Sequence, residues 1–165
     1  MIEVLKALED SLARELELER ELFEVGERKR DGLIALDLKE VDQATSREQN
    51  ILVALGPVGE RRLRWTSAAA RLLGLGDQEA TVSRVAQRAG EPYASRLLRQ
   101  ASEVRGALRD VALVNRTNRA LTLQSLGQVK RFFLLLSGAK DQLTYGRRGQ
   151  GNRPEMPKVM IDRVI

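Results

Sequence analysis

From Leu97 to Leu136 one series of positions runs without a break, alternately four and three residues apart. It reads Leu97, Ala101, Val104, Leu108, Val111, Asn115, Asn118, Thr122, Ser125, Val129, Phe132 and Leu136. That spacing keeps one face of an α-helix aligned along its length, as a coiled-coil seam requires. Asn115, Asn118, Thr122 and Ser125 are polar, however. A helix that interrupts its own seam with amides and hydroxyls is a candidate for holding something besides its own core.

The rest of the chain reads as helix too. Leu5, Leu8, Leu12 and Leu16, then Leu22, Phe23, Leu33 and Leu36, mark a first long helix over about 2–36. Gly26 and Gly32 weaken it as an unbroken rod, each costing roughly 1 kcal/mol against alanine. Its turn falls at Leu36–Glu40, with Asp37 or Asp42 able to cap the next helix. A second helix is predicted over about 41–73, with Ala44, Ile51, Leu55, Val58, Trp65, Ala69 and Leu72 on one face. Gly56-Pro57 is expected to kink or break it, because proline lacks the donor for the carbonyl four residues back. Two helices of similar length with a short join form an antiparallel hairpin most simply.

Leu73-Gly74-Leu75-Gly76-Asp77 is a stop signal, with Asp77 as N-cap of a short helix over about 78–89. Glu91-Pro92 then opens the last helix, about 92–137. The sequence therefore predicts an all-α fold: an elongated antiparallel helical hairpin or coiled coil, with a long last helix packed on it. That makes four helices in a bundle over 1–138, followed by a flexible basic tail over 139–165. In this reading Leu97–Val111 and Val129–Leu136 are ordinary seam packed on the hairpin. The closing Val159–Ile165 is apolar enough to dock or to form a short strand.

Composition removes most catalytic chemistry. The chain has no histidine and no cysteine, so imidazole bases, thiol nucleophiles, disulfides and His/Cys zinc sites are impossible. No cofactor, metal or catalytic residue is expected. The first residues hold no apolar signal core, and no apolar run is long enough to span a membrane. The sequence thus reads as a soluble, cytoplasmic protein without a transmembrane segment.

The net charge of +5 is polarised: residues 1–24 carry eight acids and three bases, whereas 139–165 carry six bases and three acids. Basic clusters at Arg61-Arg62-Leu63-Arg64 and Arg147-Arg148 have no aromatic stacking platform beside them, which argues against nucleic acid as partner.

The remaining candidates each have two readings. Glu15 with Glu19 forms a carboxylate pair, but a solvated helix face explains it without catalysis. Gly146–Gly151 lacks the Lys-Ser/Thr of a phosphate loop and reads as tail. Asn115 and Asn118 are either a register device or a polar patch pairing with a bound helix. Around them Val114, Leu121, Leu123 and Leu126 widen the apolar arc beyond what two strands need. Phe132–Leu136, apolar all round, is either the capped end of the core or a docking site. Tyr145, the tail's only aromatic, either anchors a partner or folds back on the hairpin.

Four stretches, in order, give the chain a family resemblance. They are Ser46–Leu55, charged and then apolar; Leu108–Asn118, with its two asparagines three apart; Thr144-Tyr145-Gly146-Arg147-Arg148-Gly149-Gln150; and the terminal Asp162–Ile165. Together they resemble a flagellar export chaperone of the FlgN type. Gly56-Pro57 and the arginine-rich tail depart from that pattern.

The resemblance implies a non-enzymatic chaperone for hook-associated proteins like FlgK and FlgL. It would hold their amphipathic terminal helices, prevent premature assembly and deliver them to the flagellar type III export gate. It assigns cargo binding to the Val104–Leu136 face: Val104, Leu108, Val111, Asn115, Asn118, Leu121, Ser125, Val129 and Phe132. It assigns gate engagement or cargo sensing to Tyr145, Gly146 and Gly149. Without the resemblance, a self-associating coiled-coil scaffold or adaptor explains the same seam.

Overall fold

The structure is a computed structural model that describes residues 1–136. Among them are four α-helices, a short 3-10 turn and no strand: α1 (Ile2–Ala35), α2 (Leu38–Leu72), the turn Asp77–Glu79, α3 (Val82–Ala89) and α4 (Tyr93–Leu136). The chain divides into two compact units, Met1–Leu126 and Gly127–Ile165. The described part of the second is the last turns of α4.

In α1, Leu5, Leu8, Leu12, Glu15, Glu19, Leu22 and Gly26 recur three and four apart, and all seven are buried. The helix is unbroken despite Gly26 and Gly32, because both glycines lie at contacts. A Cβ on Gly32 would meet Val41 and Glu40 of α2 at 3.2–3.3 Å. The helix ends at Leu36, which takes the left-handed conformation (φ 58°), and Asp37 N–H donates back to the Gly32 carbonyl at 2.9 Å. This is the closure that glycine usually provides. Asp37 then caps α2 by accepting from Glu40 N–H at 3.1 Å, so α2 starts at Leu38, earlier than the apolar pattern predicts.

Ion pairs give the direction of each helix. Glu15 pairs with Arg62, Glu21 with Arg47 and Lys29 with Glu48, so α2 runs antiparallel to α1. Arg96 pairs with Glu9, Arg20 with Glu103, and Asn118 bonds to Gly26, so α4 runs parallel to α1.

Pro57 does not break α2, which is helical from Leu38 to Leu72. The carbonyl that loses its amide partner belongs to Val53, which is 77% exposed, so water can replace the bond. The next residue, Val58, is buried and ties the helix to the core.

The short third helix is also revised. Asp77 opens a 3-10 turn, and Thr81 caps α3 by accepting from Arg84 N–H at 3.3 Å. On α3, Val85 and Ala86 are fully buried.

Two apolar clusters form the core of the first unit. One unites Leu5, Leu8, Leu12 and Leu16 with Ala69 and Ala70 of α2, Val85 and Ala86 of α3, and Leu97, Val104 and Ala107 of α4. The other joins Leu18, Leu22 and Val25 to Ala44, Ile51 and Val58 of α2 and Val111 of α4, without α3.

The seam of α4 differs from the expected series. Its buried set is Leu97, Ala101, Val104, Ala107, Val111, Val114 and Asn118. Ala107 and Val114 take the places expected for Leu108 and Asn115, both of which are exposed. Val129, Phe132 and Leu136 are not packed seam either, being 50%, 60% and 67% exposed.

Candidate functional site

Near the middle of α4, Val114 and Asn118 make a close contact with Gly26 of α1. A Cβ at Gly26 would stand 2.8 Å from Val114 Cγ1, closer than packed carbon atoms allow, so only glycine admits Val114 there. One turn further along α4, Asn118 Nδ2 donates to the Gly26 carbonyl at 2.8 Å, inside the buried contact. The Asn118 amide is therefore used as a register device, while its Oδ1 has no hydrogen-bond partner among the described residues. Gly26→Ala should lower stability by about 1–2 kcal/mol, because overpacking exceeds the gain in helix propensity. The shift in the urea midpoint checks this.

The residues expected to bind cargo therefore divide. Val104, Val111 and Asn118 are buried. Leu121 and Ser125 are half-buried, and Leu108 and Asn115 are exposed. In the second unit Val129 and Phe132 are exposed, and so are Phe133, Leu134, Leu135 and Leu136 at 58–79%. Tyr145, Gly146 and Gly149 lie outside the described residues.

The Glu15–Glu19 pair is not a solvated face. Both residues are buried, at 8% and 5% exposure, where α1 meets its neighbours. Arg62 of α2 reaches Glu15 at 2.6 Å, whereas Glu19 Oε2 has no hydrogen-bond partner among the described residues. A cleft of about 230 Å³ opens beside this pair, lined by Glu15, Arg62, Thr81, Arg105 and Leu108 among others. The clue in the sequence was the row Leu12-Glu15-Glu19-Leu22, which puts both acids at core positions.

Desolvation by burial, followed by repulsion from Glu15, raises the Glu19 pKa above its ordinary 4.5. The native state thus holds this proton more tightly than the unfolded chain. Stability falls as pH rises from 4.5 through the folded value and is flat above it. Glu19→Gln should abolish this component and make the protein more stable at pH 7. Thermal melts across pH 4–8 would show a flatter curve for the variant.

Among the described residues no helix is long and apolar enough to cross a membrane. The fold and this surface define an all-α protein whose last helix buries one face from Leu97 to Asn118 and exposes large apolar side chains at its end. The family model described as FlgN protein matches residues 1–153, and the chain belongs to the FlgN family of flagellar export chaperones. No curated protein and no solved structure matches it.

Proposed function

We propose that this chain is a cytoplasmic chaperone for hook-associated proteins of the FlgK and FlgL kind, working in flagellar type III export. Its task is binding rather than catalysis. The observation that supports cargo binding most is the exposed apolar end of α4, Val129 and Phe132–Leu136. Exposed apolar patches of this kind mark interaction sites, and an amphipathic helix laid on them buries both surfaces. A cargo helix sequestered in this way cannot pair with its assembly partners.

Ser125 continues the same heptad series, Leu121 flanks it, and both belong to this reading. Leu108 and Asn115 are open to a partner as they stand. Val104, Val111 and Asn118 are buried against the bundle and contact cargo only if α4 leaves α1.

Co-expression with a FlgK- or FlgL-like protein of the same organism tests the reading. A soluble complex that survives purification supports it; failure to form one overturns it. Tyr145, Gly146 and Gly149 are assigned to delivery at the export gate. Tyr145→Ala should leave cargo affinity unchanged and reduce export, read as secreted hook-associated protein. Lost cargo affinity would instead place Tyr145 in the cargo site.

A further inference from the structure

Four arginines lie along the solvent side of α4 within the first unit: Arg105, Arg109, Arg116 and Arg119. The second, third and fourth follow the first by four, eleven and fourteen residues, spacings that return to one helix face. At about 1.5 Å per residue the row is roughly 21 Å long. All four are exposed, and none makes an ion pair with a described residue. Asp110 is the only acid between them, and it lies on another side of α4, lining a cleft with Arg20 and Glu103 of the α1–α4 contact. From Val111 to Leu126 there is no acidic residue.

Apolar side chains share this face: Leu108 lies between Arg105 and Arg109, and Leu123 follows Arg119 by one turn. Leu108 is 44% exposed and Leu123 59%, with exposed Ala112 between them. Arg105 and Leu108 also line the cleft in which Arg62 already grips a carboxylate, that of Glu15.

We infer that this face of α4 docks an acidic amphipathic helix of a protein partner. Guanidinium forks match carboxylates geometrically, and carboxylates one turn apart on the partner helix would meet the row at its own spacing. Leu108 within the row and Leu123 at its end favour a protein helix over other polyanions, because an apolar side chain gains nothing from a phosphate backbone. No aromatic residue stands in the row to stack a base. A membrane surface fits less well, since apolar and charged groups are mixed here and not segregated to opposite faces. The inference rests on residues of the first unit alone and does not depend on which cargo the chain carries.

The probe is a dye-labelled helical peptide of about 20 residues. It carries glutamates at the arginine spacing and leucines between them, and it is titrated with the full chain by fluorescence anisotropy. Saturable binding is expected. Changing all four arginines to glutamine should weaken it about tenfold or more while leaving the thermal melt unchanged. A peptide with glutamine for each glutamate tests the same contact without altering the protein and should lose affinity similarly. Serine for the peptide's leucines should also weaken binding. Equal affinity for the charged and uncharged peptides, or tighter binding to duplex DNA or to phosphatidylglycerol vesicles, overturns the proposal.

Discussion

Leu8→Ala is expected to destabilise the protein by about 2–5 kcal/mol, a large share of the roughly 5–15 kcal/mol that holds a typical domain together. Leu8 is 0% exposed and belongs to the cluster in which α1, α2, α3 and α4 all meet. The cluster is built from all four helices, each anchored by several residues, so the space left by the missing isobutyl atoms has no single side chain free to fill it. The loss therefore includes a cavity as well as the transfer free energy of the removed carbons. Chemical denaturation should show a lower midpoint with an unchanged slope, as expected when the native fold survives but is weaker. Ile34→Ala, at a residue 65% exposed beside the α1–α2 turn, is the matched control and should shift the midpoint little.

Arg62→Met should cost about 2–3 kcal/mol. Methionine keeps most of the aliphatic stem but removes the guanidinium 2.6 Å from Glu15. Breaking a buried pair in this way strands a charge, which costs about 3–5 kcal/mol where both partners are fully buried. The Arg62 side chain is 29% exposed, so water offsets part of that penalty. Glu19 makes the loss worse, because a second buried carboxylate lies one turn away without a cation of its own. Glu15→Met combined with Arg62→Met removes both charges and should recover most of the stability, since an apolar pair of similar volume is often as stable as a buried ion pair. A double-mutant cycle measured by urea denaturation gives the coupling directly.

The long helices were legible because apolar residues at three- and four-residue spacing have one physical explanation, a face turned from water. Asp37 was legible as a cap for a similar reason: its side chain acts within its own turn. What escaped the sequence depends on a second element.

Following Val104, the seam steps by three to Ala107; a step of four gives Leu108. Both lie near the same face of α4, and only the position of α1 decides between them. The same choice separates Val114 from Asn115, and there Gly26 decides it, by leaving room for a valine. Glu15 and Glu19 look like surface acids until the other helices cover them and Arg62, far along the chain, is placed against Glu15. Pro57 looks like a helix breaker until Val53 is found facing solvent.

The candidate site was legible in part. The amides of the stripe were noticeable, but Asn118 serves the contact with α1 and Asn115 faces out, a division no spacing reveals. Phe132–Leu136 had two readings, core end or docking surface, and its exposure is at odds with the first. The arginine row borders the stripe, sharing Leu108 with it, and stands out only once α1 and α2 are seen to cover the other side of α4.

The central claim is that the apolar end of α4 takes up a hook-associated protein. Its most direct test is calorimetric titration of a FlgK- or FlgL-like protein into the full chain, set beside the variant carrying Val129→Asp and Phe132→Asp. Both residues are at least half exposed, so the variant should fold as the parent does. The account predicts a soluble complex for the parent and a loss of about 100-fold or more in affinity for the variant, because docking would then bury two unpaired carboxylates. Undiminished affinity in a folded variant, or no complex with the parent, would contradict it.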